Sequence, residues 1–423
     1  MKIWIRMTVC VLLTALLIGP LPTGAVSPGL SNLAISADMA KAGLQNGEIR
    51  FSADDFARAL NRARLREITV TVLPPAEEGT LKLGTAAVYA GQVISQNALD
   101  LLHFVPAAAA VTESSFRFTA EGASYPITCS LYLLPRINYA PTVELADDGA
   151  LAVSTHRAIS CFGTLPAYDP EGDPLTYEIV RAPKKGTVTF TDRSTGDYCY
   201  TPAAGKTGRD SFRYVVRDKY GNYSAAATVS VTITRPKTAV VFADMENHWA
   251  HNAALTMIET GLMQGRQIGN TVCFAPNEPV SRGEFLVMAM QAAGMGDVPQ
   301  AVSTGFADDA AIPVGMKGYV AAAAELGYVR GREVEGVCKF CPDDTVTRAE
   351  AAVILNNILK PEVPTVRAVF ADADGVPAWA YDALSALNTL GVMSGTGGGV
   401  ISANSPITRA QAAQIFCAVM ALE

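Results

Sequence analysis

The sequence predicts a multidomain chain in which two small all-β sandwiches precede a helix-rich unit built from three repeats. Two observations carry that reading. Through the middle of the chain, β-branched residues alternate with other types, as in Ile68-Thr-Val-Thr-Val72 and Ala227-Thr-Val-Ser-Val-Thr-Ile-Thr234, which is the period of a half-buried strand. From Val240 onward, Phe242-Ala-Asp244, Phe306-Ala-Asp308 and Phe370-Ala-Asp372 recur at a constant interval of 64 residues, and a fixed interval marks a repeat architecture.

Taken in order, the chain opens with Lys2 and Arg6 before an apolar run from Met7 to Ile18, then Pro20, Pro22, Gly24 and Ala25. Residues 1–27 therefore read as a secretory signal peptide, cleaved near Ala25. The run is short for a membrane span, and no later stretch approaches that length. Residues 28–45 show no strand pattern and read as a linker. The first sandwich is assigned to 46–136 and the second to 137–236. Both carry the same order of marks: Leu73-Pro74 with Gly79, Phe104-Val-Pro106 and Ser115-Phe116 in one, Ala182-Pro183 with Gly186, Tyr200-Thr-Pro202 and Ser211-Phe212 in the other. Their length suits small two-sheet domains. Arg235-Pro236-Lys237 reads as the boundary before repeats at 240–302, 303–364 and 365–423.

The formal charge is -7, and losing Lys2 and Arg6 takes it to -9. With no basic run, nucleic acid and anionic membranes are poor partners. One of the eight cysteines, Cys10, lies in the signal segment, and the odd remainder is too dispersed for a disulfide framework. Cys161 and Cys199 are candidates for one bridge between strands. Cys338-Lys-Phe-Cys341 lacks a second pair or a nearby His, which argues against zinc. His103, His156, His248 and His251 form no HExxH, and neither a Ser-His-Asp order nor a nucleotide-binding glycine loop stands out. The chain therefore reads as non-enzymatic; an anchored enzyme and a lattice-forming subunit are the rival readings.

Within each repeat, a helical segment ends at a glycine pair: Gly261 and Gly265, Gly327 and Gly331, Gly391 and Gly395. A second helix opens at Ser281-Arg-Gly-Glu284, Thr347-Arg-Ala-Glu350 and Thr408-Arg-Ala-Gln411, each a capping box. The arginine is not explained by capping. A cation in the first turn opposes the helix dipole at a cost of about 0.3–1 kcal/mol. Arg282, Arg348 and Arg409, each beside free helix N–H groups, are thus expected to bind an anionic ligand, with Glu284 and Glu350 alongside. The alternative is an ion pair with a neighbouring repeat. Trp249 and Trp379 are candidates for stacking on a sugar ring, against the alternative of core packing. Asp244 is placed with the ligand set, although Asp244, Asp308 and Asp372 are better explained as caps of the following turn.

These motifs resemble the S-layer homology (SLH) family from Val240 to Glu423. The resemblance implies that three modules form one pseudo-threefold helical unit binding secondary cell-wall polysaccharide that carries pyruvyl ketals, with the motif arginines on the pyruvate carboxylate. It implies secretion to a bacterial cell wall, with the β-domains as a stalk or adhesive module. Departures occur in the later repeats. Gly315 stands at the tryptophan position of the second, and Gln411 and Ile401-Ser-Ala-Asn404 replace Glu and Phe-x-Pro in the third. The first groove is therefore expected to be the most complete.

The second sandwich is similar to bacterial cadherin-like, Ig-like tandem domains through Ala140-Pro141, Asp169-Pro-Glu-Gly-Asp-Pro-Leu-Thr-Tyr177 and Asp218-Lys-Tyr-Gly221. Asp169, Glu171 and Asp173 alternate in an acidic turn, but Val180 stands where an EF-hand needs Glu. The resemblance implies calcium at these three, with Asp218 as a further ligand; a solvated acidic turn is the alternative. No other cofactor is expected.

Overall fold

Alternation along the strands decides which residues meet in the two β-units. The computed structural model describes residues 38–422, apart from 61–64, 122–124, 144–149, 363, 365 and 396–398. The signal segment 1–27 and the first part of the expected linker lie outside the described residues.

In the first unit, the strands are β1 (Met39–Leu44), β2 (Ile49–Arg50), β3 (Glu67–Val72), β4 (Gly79–Leu83), β5 (Ala86–Ala87), β6 (Val93–Ser95), β7 (Leu102–Pro106), β8 (Glu113–Ala120) and β9 (Ile127–Leu134). They form a five-stranded sheet, β1-β9-β8-β3-β6, and a four-stranded sheet, β2-β7-β4-β5. Ile68, Val70, Phe116, Phe118, Cys129 and Leu131 from one sheet meet Ile49, Leu81 and Phe104 from the other in a single apolar core. Two expectations need correction. Residues 39–44 are not linker: β1 runs parallel to β9, with Met39 opposite Cys129. The unit is also not all-β, because Ser52 and Asp55 form a capping box for a short helix, α1 (Ala53–Ala59), which buries Phe56.

The second unit repeats the plan with β10 (Ala150–His156), β11 (Cys161–Thr164), β12 (Leu175–Arg181), β13 (Gly186–Asp192), β14 (Asp197–Pro202), β15 (Gly208–Asp218) and β16 (Ala227–Thr234). Its sheets are β10-β16-β15-β12 and β11-β14-β13. Again the first strand runs parallel to the last, β10 beside β16. Phe212 is buried in β15 as Phe116 is in β8, so the shared spacing from Pro to Phe places equivalent core residues. Cys161 lies opposite Tyr200 and Cys199 opposite Phe162, a one-residue offset that points the two thiols to opposite faces. Both are free, so the expected bridge is not formed.

Among the described residues the repeats hold six α-helices: α2 (His251–Thr260), α3 (Arg282–Ala292), α4 (Val314–Glu325), α5 (Arg348–Leu359), α6 (Ala378–Thr389) and α7 (Arg409–Met420). Sequence patterning missed a hairpin in each of the first two repeats, β17 (Arg266–Ile268) with β18 (Thr271–Cys273), and β19 (Arg332–Val334) with β20 (Val337–Lys339). The glycine pair frames the entry to each hairpin. A Cβ on Gly331 would meet Cys338 Sγ at 2.2 Å, so the second glycine permits close approach of the two hairpin strands.

Three buried residues close the repeats into a ring. The N–H of Val280 donates to Ile407 O (2.9 Å), that of Ile407 to Val346 O (2.9 Å) and that of Val346 to Val280 O (3.1 Å). Helices from all three repeats pack around this triangle in one core. The second β-unit docks on the first repeat, where His156 Nδ1 lies 2.6 Å from Asn252 Oδ1 and Nε2 lies 3.4 Å from Glu259.

Candidate functional site

Each joint between repeats is built by the same sequence motifs acting across the repeat boundary. Asp244 accepts the N–H groups of Phe274 (2.8 Å) and Ala275 (2.7 Å). Asp308 does the same for Phe340 and Cys341, and Asp372 for Ile401 and Ser402. In each case the second residue has positive φ: 58° at Ala275, 58° at Cys341 and 53° at Ser402. The aspartate therefore clamps a backbone turn that a non-glycine residue resists. Asp244 is occupied in this clamp and is removed from the ligand set, and none of the three caps the turn that follows it.

The clamped loop presents its carbonyls to the preceding repeat's second helix. The N–H groups of Arg282 and Gly283 donate to Asp344 O and Pro342 O, those of Arg348 and Ala349 to Ser405 O and Ala403 O, and those of Arg409 and Ala410 to Glu278 O and Pro276 O, all at 2.8–3.0 Å. The helix N-termini expected to be open to an anion are closed by the next repeat.

The arginine side chains follow the same route. Arg348 donates from Nε to Ile401 O (2.7 Å) and from Nη2 to Ser394 O (2.6 Å). Arg409 donates from Nε to Phe274 O (2.8 Å) and from Nη2 to Gln264 O (2.8 Å), with its guanidinium 4.9 Å from the Phe274 ring. Arg282 donates to Arg330 O (3.0 Å), lies 3.7 Å from Glu350 and leaves its Nε without a partner. Burial lowers all three guanidiniums from their ordinary range, Arg348 to about 10. Backbone carbonyl oxygens meet the guanidiniums of Arg348 and Arg409, with Asp372 near the one and Glu284 near the other. The expected placement of these arginines in an open anion site is corrected accordingly.

What remains open lies over the joint between the second and third repeats. A cavity of about 420 Å³ is lined by Arg332, Asp344, Thr345, Thr347, Glu350, Trp379 and Asn404. Trp379 is 61% exposed, near the start of α6. Glu350 closes the capping box on Thr347 N–H (3.1 Å) and also contacts the Arg332 guanidinium. Burial alone would raise the Glu350 carboxyl, but the Thr347 N–H and the guanidiniums of Arg332 and Arg282 overcome it, so it stays below its usual value and charged. Arg332 also pairs with the exposed Asp344 at 2.7 Å. An exposed pair contributes about 0–1 kcal/mol, so an incoming carboxylate can take Asp344's place.

The same positions differ at the other joints. Arg266 opens the first hairpin and pairs with Glu278 as Arg332 does with Asp344, but the third repeat has Thr396 after Gly395. The tryptophan position, twelve residues before the first glycine of each pair, reads Trp249, Gly315 and Trp379. At the second joint the hairpin's Arg332 and the second helix's Glu350 of one repeat meet Trp379 of the next; the corresponding sequence positions for the first joint are Arg266, Glu284 and Gly315, and for the third Gln411 and Trp249. The second joint thus has a tryptophan where the first has Gly315. Trp249 is half-buried against the core and stacks on His248 at 5.4 Å, in line with its alternative reading.

A second candidate lies in the cadherin-like segment. Asp169, Glu171 and Asp173 bring carboxylate oxygens within 4.8 Å of one another. Asp169 Oδ1 accepts the N–H groups of Glu171 (3.0 Å) and Asp173 (2.9 Å), while its Oδ2 is buried without a partner. Asn138 Nδ2 and Lys219 Nζ reach Asp173 at 2.8 and 3.1 Å. Asp218 is not in this group: its oxygens accept the N–H groups of Tyr220 and Asn222 and the Asn222 amide. A hard oxygen set with one orphaned buried carboxylate oxygen fits a calcium-type cation.

Comparison with known proteins agrees with this division. The bacterial cadherin-like domain matches residues 138–235, and the S-layer homology domain matches three times, at 241–286, 305–352 and 369–413. The Surface-layer 125 kDa protein of Lysinibacillus sphaericus is 29% identical over 161 residues, covering 34% of this chain and 13% of that one. An Amylopullulanase of Thermoanaerobacterium thermosulfurigenes is 22% identical over 312 residues, covering 70% of this chain and 16% of that one. The chain therefore spans less than a fifth of the length of either relative. Among solved structures, the fibronectin(III)-like modules of Clostridium thermocellum CbhA are 14% identical, covering 47% of this chain and 91% of theirs with a TM-score of 0.22, too low to carry an argument. The chain is an SLH-domain protein, carrying one bacterial cadherin-like domain followed by three S-layer homology domains.

Proposed function

We propose that the three SLH domains hold this chain, without a covalent bond, to an acidic secondary cell-wall polysaccharide of the pyruvylated type, and that the β-units serve as a stalk or adhesive module with no catalytic role. The observation that carries the reading is the second joint, where an exposed indole face stands beside a guanidinium held by the fixed Glu350 and the exchangeable Asp344. Trp379 offers its face to a sugar's C–H edge, Arg332 offers a fork to a ring-borne carboxylate, and Thr345, Thr347 and Asn404 offer hydrogen bonds to hydroxyls. Glu350 sets the fork's orientation from below.

Sedimentation of the full chain with purified cell walls tests this assignment. Trp379→Ala and Arg332→Gln should each weaken retention about 10-fold, the effect of losing about 1.4 kcal/mol. Trp249→Phe should leave it near wild type. Retention that survives Trp379→Ala and Arg332→Gln together would remove the second joint from the site.

Asp169, Glu171 and Asp173 are proposed as a calcium seat. The ion would supply charge neutralisation and a fixed turn beside the junction with the first β-unit. Calorimetry should show heat on calcium addition that Asp169→Asn abolishes; identical traces for both proteins would reject the seat.

A further inference from the structure

Where the first β-unit meets the second, a cavity of about 200 Å³ is lined by Lys41, Asp55, Arg58 and Ala59 from one side and by Arg217, Gly221, Asn222 and Tyr223 from the other. Its charge balance is uneven, with three cations and one carboxylate. Asp55 is fully engaged, since Oδ1 accepts Lys41 at 2.6 Å and Oδ2 accepts the N–H and hydroxyl of Ser52 at 2.8 and 3.0 Å. Arg217 uses its Nε on Glu178 at 3.3 Å, which leaves its terminal N–H groups for the cavity. Arg58 sits in the last turn of α1, and no carboxylate among the described residues lies within ion-pair distance of it. Burial, aided by Glu178 and opposed by Arg217 and Arg58, pushes the Tyr223 phenol up to about 12, so it keeps its proton and acts as a donor. The lining thus offers donors from both domains, and its one carboxylate, Asp55, is already engaged.

The two walls are also held in register beside this cavity. Gly221 has φ 90°, and a Cβ there would meet Ala40 O at 1.9 Å, so the two backbones touch with no room for a side chain. Tyr132 and Tyr220 meet edge-to-face across the same junction at 5.3 Å. An occupant held by Arg58 on one wall and by Arg217 and Tyr223 on the other therefore bridges the domains, and its binding depends on their contact.

We propose that this junction is a binding site for a small oxyanion, a phosphate or a sugar-acid carboxylate, which fixes the angle between the two β-units. Charged oxygens with several lone pairs match a lining in which Lys41, Arg58 and Arg217 outnumber the one engaged carboxylate. The volume admits an ion of phosphate size or one acidic monosaccharide unit. The site is separate from the SLH joints and does not rest on their assignment.

Titration calorimetry of the full chain at constant ionic strength tests it, with inorganic phosphate in one arm, glucuronate in a second and chloride as the control. Saturable binding is expected in the phosphate arm, the glucuronate arm or both, and the arm that saturates identifies the source of the charge. Arg58→Gln should weaken that binding at least about 10-fold, the loss of one charge-assisted hydrogen bond. Gly221→Ala, which touches no donor, should weaken it as much by parting the walls. Absence of saturable heat in both anion arms overturns the proposal. So does an affinity unchanged by Arg58→Gln. Full binding in a folded Gly221→Ala protein overturns the bridging role.

Discussion

Arg409→Ala separates the joint account from a ligand account of the motif arginines. Arg409 closes the ring from the third repeat onto the first, through Phe274 O and Gln264 O. Removing it deprives two carbonyls in the joint of their side-chain donors, at about 1–3 kcal/mol each, and forfeits a cation–π contact of about 0.5–2 kcal/mol. Partial rehydration moderates the sum, so a loss of about 3–5 kcal/mol is expected. At about 2–4 °C per kcal/mol for a unit of this size, the midpoint should fall by about 10 °C. Tryptophan fluorescence isolates the event: Trp249 and Trp379 both lie in the repeats, and the third tryptophan, Trp4, lies in the expected signal peptide. Urea unfolding followed by fluorescence therefore reports the ring alone. Arg409→Lys should recover only part of the loss, because one ammonium cannot span two carbonyls addressed by Nε and Nη2. A change below about 0.5 kcal/mol, together with complete loss of wall retention, would refute the reasoning and return Arg409 to the ligand.

Two other outcomes are expected. For Asp372, burial raises the carboxyl but the N–H groups of Ile401 and Ser402 and the nearby Arg348 guanidinium lower it further, so its folded value lies below the ordinary one. Its stabilisation is therefore complete above the unfolded value near ~3.9 and disappears as pH falls through the folded value; the fluorescence midpoint should drop on acidification, and Asp372→Asn should flatten that limb. Asp344→Asn removes the exchangeable competitor for Arg332, so wall retention should increase a few-fold; a decrease would show that Asp344 contacts the glycan itself.

Much of the repeat architecture was legible because it is local. All three capping boxes form as the Ser/Thr-Arg-x-Glu/Gln spacing implies, and the constant Phe-x-Asp interval sets the threefold plan. The clamp was not legible, since Asp244 reaches residues 30 positions further on. Nor were the arginine partners, which for Arg409 lie 135 and 145 residues away. The grouping of Trp379 with Arg332 and Glu350 of the repeat before it was not legible either, since it depends on how the repeats close on one another. Strand β1 escaped notice because Met39-Ala-Lys-Ala-Gly-Leu44 has few β-branched residues; its place is fixed by pairing with β9. In the acidic turn, the sequence gathered Asp169, Glu171 and Asp173 correctly, but Asp218 serves its own hairpin.

Removal of ketal-borne carboxylates from purified wall glycan, followed by retention of wild-type and Arg332→Gln chains, tests the central claim most directly. Wild-type retention should fall to the level of the variant, with the variant itself insensitive to the treatment. Equal wild-type binding to treated and untreated glycan would contradict a carboxylate held at the second joint.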